Sequence, residues 1–309
     1  MRRASLNKST QGDAMKKFVL GLGIALAPAI AQAETPWWAI PTVQLGLPAE
    51  LSQTVTRADD AARAQVYPTV PESVPEIVRK GINGNGVCMG CHLPSGFGQP
   101  QSAPIAGLPV DYYIRTMNDF RSGARKAYRP NMVEFAKGMS DAQIRETAVY
   151  YASLKPGPWV TVEETDTAPK LFVAAREIPA ALPDGGDVPL GMRIVELRTD
   201  LTKPYFPPGP AYVAYVPKGS IARGAPLVTN GGGGKTVACV TCHGANLLGV
   251  GDIPGIAGRS ALHIARQLFE YQDGTRGGAS AEAMKPVVAK LQEADIVAIA
   301  AYVASRPLQ

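Results

Sequence analysis

Cysteine and histidine are scarce in this chain: four of the first and three of the second occur among 309 residues. All four cysteines fall in two short pairs, Cys88 with Cys91 and Cys239 with Cys242, so no thiol is left for a disulfide framework. His92, His243 and His263 are the only imidazoles, too few to complete a zinc site on either pair. Long hydrophobic runs are missing as well. The apolar stretch from Phe18 to Ala27 is too short to cross a bilayer comfortably, and no later segment resembles a transmembrane helix. Excess charge is also absent once the N-terminus is set aside. Residues 1–33 carry Arg2, Arg3, Lys8, Lys16 and Lys17 against Asp13, and without them the formal charge of +5 falls to about +1. A nucleic-acid or acidic-surface partner therefore loses its basis.

What is present is a repeated motif. Cys88-Met89-Gly90-Cys91-His92 and Cys239-Val240-Thr241-Cys242-His243 are both C-x-x-C-H, the attachment signature of a c-type haem. Two thiols separated by two residues reach the two vinyl groups on one edge of a porphyrin, and the next residue places an imidazole under the iron. A thioredoxin-like redox pair would have no use for the adjacent histidine twice over. The chain is thus expected to carry two covalently attached haem c groups, with Cys88, Cys91, Cys239 and Cys242 as thioether anchors and His92 and His243 as iron ligands.

Export agrees with this chemistry. Lys16-Lys17, the apolar run and the small residues of Ala31-Gln32-Ala33 form the three parts of a secretory signal peptide ending before Glu34. The expected location is the periplasm, with a retained membrane anchor as the competing reading. Residues 34–75 are rich in Pro and Ala, include Trp37-Trp38, and read as an extension wrapped on the first haem domain, with a weak helical pattern from Leu51 to Ala64.

The two motifs mark an internal repeat. An offset of 151 residues carries Cys88 onto Cys239, Ile105-Ala106-Gly107 onto Ile256-Ala257-Gly258, Gly123 onto Gly274 and Arg125 onto Arg276. One insertion later the offset is 152, and Met132 falls on Met284, Met139 on Leu291 and Tyr150 on Tyr302. Helices are expected from Asp111 to Ser122 and from Ser260 to Gln272. The last helix of each copy shows an i, i+3, i+4, i+7 face, Ile144, Thr147, Ala148 and Tyr151 in one and Ile296, Ile299, Ala300 and Val303 in the other. Ser140 with Gln143 predicts a capping box. Between the copies, Val160–Val162, Leu171–Val173, Arg193–Leu197 and Tyr212–Val216 read as short strands among Pro- and Gly-rich turns. The expected fold is mainly α: two cytochrome c-type haem domains, within 34–156 and 219–309, joined by an irregular or β-rich segment over 157–218.

Function turns on the sixth ligand of each iron. A methionine thioether closes the site and gives an electron carrier, whereas an open site permits peroxide, oxygen or carbon monoxide chemistry. Met132 and Met284 are equivalent across the repeat and follow their histidines by 40 and 41 residues, enough chain to reach the opposite face of the ring. Met117 and Met139 align with Leu268 and Leu291 and read as core, Met192 lies between the copies, and Met89 sits inside the attachment loop. The assignment is His92 with Met132 and His243 with Met284. His263 is the competing ligand and reads instead as a partly exposed or propionate-facing residue. The carbonyl of Pro254 is the candidate acceptor for the His243 ring. Arg125 and Arg276 are candidates for pairing with haem propionates, against a reading as solvated surface arginines.

Together, C-x-x-C-H, Pro-x-Ile-Ala-Gly, a helix ending in Asp-Gly-Thr-Arg or Ser-Gly-Ala-Arg, a Met with Leu seven residues later and a closing amphipathic helix resemble the dihaem cytochrome c4 family over roughly 80–156 and 219–309. The resemblance implies class I cytochrome c domains with His/Met iron that carry electrons in the periplasm. Ala103 stands where the family has proline, Met139 replaces the usual Leu, and the intervening segment is additional. The expected function is single-electron transfer without catalysis. The expected partners are periplasmic or membrane-bound redox proteins: a dehydrogenase, a quinol-oxidising complex or a terminal oxidase. The alternatives are a haem subunit of a dehydrogenase complex and a dihaem peroxidase. A dihaem thiosulfate-oxidising enzyme with cysteine ligation is disfavoured because no cysteine is spare.

Overall fold

In the computed structural model the described residues are 73–82, 88–100, 102–126, 131–173, 178–198 and 212–308. The expected signal peptide, the Trp37-Trp38 extension and the Leu51 to Ala64 pattern lie outside them. The first repeat is built from α1 (Glu76–Lys80), α2 (Cys88–His92), α3 (Val110–Ser122), α4 (Asn131–Gly138) and α5 (Asp141–Ser153). α3 stops at Gly123, whose φ of 78° is the left-handed conformation that terminates a helix at low cost. α5 begins with the capping box: Gln143 N–H donates to Ser140 Oγ at 3.2 Å, and Ser140 N–H donates to Gln143 Oε1 at 2.8 Å. Its predicted apolar face, Ile144, Thr147, Ala148 and Tyr151, is buried against Ile77, Val78, Tyr113, Met117, Phe120 and Met139.

Among the described residues, the segment between the repeats holds seven short strands: β1 (Val160–Thr165), β2 (Thr167–Pro169), β3 (Leu171–Val173), β4 (Pro179–Ala181), β5 (Asp187–Pro189), β6 (Val195–Leu197) and β7 (Tyr212–Pro217). β1 lies parallel to β7, with Val160 beside Tyr212, and β6 completes a three-stranded sheet on the other side of β7 in antiparallel register. β2 with β5 and β3 with β4 form two small antiparallel ribbons. This sheet shares one core with the second repeat, where Trp159, Phe172, Tyr212 and Val216 pack in the same cluster as Leu227, Ile296, Ile299 and Val303.

The second repeat comprises α6 (Ser220–Asn230), α7 (Cys239–His243), a β8 (Gly249–Val250) and β9 (Ile253–Pro254) hairpin, α8 (Ala261–Gln272), a 3-10 turn at Ala279–Ala281, α9 (Lys285–Val288) and α10 (Glu293–Ala304). α6 carries Pro226 in its interior, a residue that locally opposes a helix. It forms because it packs closely across α10. A Cβ on Gly224 would lie 2.1 Å from Ala298 O, so only glycine permits the crossing.

The repeat seen in the letters is also a repeat of backbone hydrogen bonds. Gly96 O accepts from Ile105 and Ala106 N–H at 2.7 and 2.9 Å, and Leu247 O accepts from Ile256 and Ala257 N–H at 2.8 and 3.0 Å. Gly107 N–H donates to Tyr151 O at 2.9 Å, as Gly258 N–H does to Val303 O at 3.0 Å. The two repeats meet about a local two-fold axis. Arg125 bridges its own counterpart Arg276 in antiparallel pairing, flanked by Lys126 N–H to Thr275 O at 2.7 Å and Gly277 N–H to Ala124 O at 3.0 Å. Such an isologous contact places each residue opposite its copy. Among the described residues no helix is long and apolar enough to cross a membrane.

Candidate haem centres

Each C-x-x-C-H forms a single helical turn, α2 or α7. Residues three apart share a helix face, so Cys88 with Cys91 and Cys239 with Cys242 present their thiols on one side, and the histidine at the fourth place follows on that side. All four thiols are free. Burial pushes Cys88 and Cys239 up to about 11, so before attachment they are neutral thiols.

The imidazoles are held in the same way twice. His92 Nδ1 lies 2.8 Å from Ala103 O, and His243 Nδ1 lies 2.8 Å from Pro254 O. A carbonyl only accepts, so the Nδ1 carries the proton and Nε2 keeps the lone pair that an iron takes. Burial lowers the pKa of both rings, most directly by desolvating the cation, and the neutral ligand form is favoured. In the second repeat the carbonyl beside the ring is that of Pro254. Its missing counterpart in the first repeat costs nothing, because the acceptor is a backbone carbonyl that Ala103 supplies equally well.

What brings those carbonyls into place is the turn after each motif. Gly96 and Leu247 occupy equivalent left-handed positions, with φ of 70° and 60°. A leucine there costs about 1–2 kcal/mol, offset by burial of its side chain in the core.

Met132 lies at the start of α4, half-buried against the first core, and Met284 immediately precedes α9, half-buried against the second. Met117 and Met139 are core residues, as their leucine counterparts imply, and Met192 is exposed. His263 is half-buried in the first turn of α8, its N–H donating to Ser260 Oγ at 3.0 Å.

Arg125 and Arg276 do not lie on the solvated surface; they meet at the contact between the repeats. Both donate to Gln267 Oε1, at 2.6 and 2.7 Å, and Arg276 also donates to Tyr112 Oη at 2.6 Å. Arg266 reaches Pro100 O at 3.1 Å, and Arg259 reaches Pro104 O at 2.5 Å. The cluster is rich in positive charge: burial, then the neighbouring Arg276, lowers the pKa of Arg125. Burial and four arginines hold His263 well below its usual value. Gln267, Arg259 and Tyr112 escaped the sequence reading as members of this cluster. The signal was a break in the repeat, since their counterparts are Thr116, Leu108 and His263.

These residues fit a haem. Arg125 is 9% exposed and its Nε has no hydrogen-bond partner, a buried donor that costs about 1–3 kcal/mol unless an acceptor reaches it. Haem propionates are such acceptors. The thiols and free imidazole Nε2 supply the remaining attachment points.

The sequence model of the family described as Cytochrome c matches residues 221–307. A thiosulfate dehydrogenase electron acceptor from Thiomonas intermedia is 29% identical over 224 residues, covering 72% of this chain and 79% of the relative. A cytochrome c4 from Pseudomonas aeruginosa is 27% identical over 221 residues, covering 70% and 82%. A cytochrome c-554(548) from Halomonas halodenitrificans is 38% identical over 73 residues, 23% of this chain and 88% of the relative.

Proposed function

This chain belongs to the cytochrome c family, as a cytochrome c4-like dihaem electron-transfer protein, and we propose that His92 with Met132 and His243 with Met284 hold its two irons. The observation that carries this reading is the pair of identical imidazole anchors, each Nδ1 at 2.8 Å from a backbone carbonyl, in repeats whose methionines are also equivalent. A bound haem would supply one reversible electron at its iron, and a methionine ligand would close that iron to small ligands. The polypeptide does the rest: Cys88, Cys91, Cys239 and Cys242 fix each ring covalently, the carbonyls of Ala103 and Pro254 orient the proximal histidines, and Arg125 and Arg276 balance propionate charge. The working units are 34–156, 157–218 and 219–309, after removal of residues 1–33 on export to the periplasm.

The relative that serves as electron acceptor of a thiosulfate dehydrogenase makes a periplasmic dehydrogenase of that kind the electron donor to test first, with a membrane terminal oxidase as acceptor. In the second reading this chain is a standing haem subunit of such a dehydrogenase. That reading is favoured by the intervening sheet, an element with its own strands and ribbons. An optical and near-infrared spectrum with a haem count tests the carrier function. Two haems, each with a thioether-to-ferric charge-transfer band and no reaction of the reduced protein with carbon monoxide, are expected. A high-spin haem that consumes peroxide would overturn the proposal. Co-purification of a dehydrogenase at a fixed ratio would favour the subunit.

A further inference from the structure

Among the described residues three buried polar side-chain atoms have no hydrogen-bond partner: Arg125 Nε, Glu196 Oε1 and Tyr151 Oη. The first faces the contact where propionates are expected. The second belongs to a carboxylate already bonded through its other oxygen to Ser260 and Leu262. Tyr151 is different, because its one polar atom is the orphan and the residue is fully buried.

Tyr151 stands on α5, with its ring 6.3 Å from Tyr113 in a near-parallel stack and 5.0 Å from Tyr150 edge-on. Its neighbours have their hydroxyls occupied. Tyr150 donates to Pro94 O at 3.1 Å, and Tyr113 is paired with Thr147. Both Cys88 and Cys91 are close enough to Tyr151 to act on its ionisation electrostatically, after the larger effect of burial. Cys88 and Met89 of the first attachment turn also pack against the core cluster that contains Tyr151 and Tyr113, so the orphan hydroxyl lies in the core that this turn covers.

The second repeat has no such group. Val303 occupies the position of Tyr151, since each carbonyl accepts the equivalent glycine N–H, Gly258 and Gly107. Ile264 occupies that of Tyr113, since their N–H groups donate to the equivalent carbonyls of Ser260 and Pro109. One haem pocket has a phenol pair where the other is aliphatic. Leaving a hydroxyl buried and unbonded costs about 1–3 kcal/mol, so its retention calls for an acceptor that the polypeptide does not supply.

We propose that the Tyr151 hydroxyl donates a hydrogen bond to the thioether edge of the first haem, and that this contact raises the first haem's potential relative to the second. The inference rests on haem attachment at Cys88, Cys91 and His92. A donor at the thioether edge withdraws electron density from the ring and favours the ferrous state. The test is a spectroelectrochemical titration of the dihaem protein and its Tyr151→Phe variant. Removal of the hydroxyl is expected to lower the first haem's potential and shift electron sharing about threefold toward the second haem, which is about 28 mV at 59 mV per decade for one electron. Tyr150→Phe, whose hydroxyl already has a partner, leaves both potentials unmoved. Resonance Raman of the unaltered protein gives a second readout that needs no variant: exchange into D2O is expected to move a C–S stretching line of one haem only. Unchanged potentials in a Tyr151→Phe protein with two haems, or C–S lines insensitive to D2O, would overturn the proposal. A wild-type haem count below two would instead sink the attachment on which it rests.

Discussion

The two haem modules have nearly the same backbone and different surroundings. In the first, the attachment loop is roofed by the segment that follows it: Trp159 Nε1 donates to Gly98 O at 3.1 Å, and its ring lies 5.4 Å from Phe97. In the second, Leu248 and Val250 occupy the positions of Phe97 and Gln99 and are 45% and 57% exposed. The first core carries buried phenols at Tyr113 and Tyr151 where the second has Ile264 and Val303. The same few backbone hydrogen bonds thus shape both attachment turns, and side chains outside that frame make the two sites unequal.

The strongest way to break the comparison is at the sixth ligands. Met132→Ala and Met284→Ala are each expected to open one iron, giving one high-spin, carbon monoxide-binding haem per molecule. The potential of that haem is expected to fall by a sizeable part of the roughly 0.8 V that axial ligands command. An unchanged spectrum in Met132→Ala would transfer the first iron to Met139 and end the symmetry of the pair. Next in size is the contact between modules. Gln267→Leu strips the shared acceptor from Arg125 and Arg276 and is expected to destabilise the protein by about 3 kcal/mol or more. Calorimetry is expected to resolve two transitions where the unaltered protein shows one. A single unshifted transition would mean that the arginine contact does not couple the modules.

The second module also depends on the intervening sheet, through Glu196. This carboxylate on β6 is 2% exposed and accepts from Ser260 Oγ at 2.9 Å and Leu262 N–H at 3.2 Å, holding the first turn of α8. Burial raises its pKa from 4.5 to about 7. The folded state therefore binds a proton more readily than the unfolded chain. Stability contributed by this group is present below about pH 4.5, declines as pH rises to about 7, and is flat beyond. The change is on the order of 3 kcal/mol. Glu196→Gln is expected to remove the slope, read from urea midpoints across that range, and an equal slope in the variant would assign it elsewhere. The first module has no carboxylate from the sheet in this role: the position of Ser260 is held by Pro109, the N-cap of α3, with no side-chain cap.

Much of this was legible in the letters, for a physical reason. A thioether pair and its histidine tolerate no change of spacing, so C-x-x-C-H stands out. The closing helices declare themselves because Ile144, Thr147, Ala148 and Tyr151 recur at the helical period. The four strands read between the modules all contain residues of β1, β3, β6 or β7. β2, β4 and β5 each contain a proline among their three residues and carry no run of β-branched or aromatic side chains, so they read as turn rather than strand. α6 carries Pro226, whose local cost is overridden by packing against α10. The arginine contact was hidden because no one-dimensional pattern marks a surface that two modules bury against each other. Arg125 and Arg276 were found as a pair only because the repeat aligned them, and that alignment could not say that they touch.

The smallest expected effect lies at the N-termini of the closing helices, where the modules solve one problem in two ways. In α5 the reciprocal box of Ser140 and Gln143 satisfies two amides that would otherwise be orphaned. In α10 the Asp295 carboxylate accepts from Gln292 N–H at 2.8 Å and pairs with Lys235 Nζ at 2.6 Å, so the cap also ties the loop before Cys239 to the helix. Ser140→Ala is expected to cost about 1 kcal/mol, seen as faster hydrogen exchange confined to the first turn of α5. Asp295→Ala removes a cap of similar size, and its effect is expected to spread to the amides around Lys235, because that lysine loses its anion. Equal and equally local losses in the two variants would show that the caps are interchangeable. An Asp295 effect that reaches the second attachment loop would show that the second module's haem turn is braced by its last helix, a support the Ser140 cap does not provide to the first.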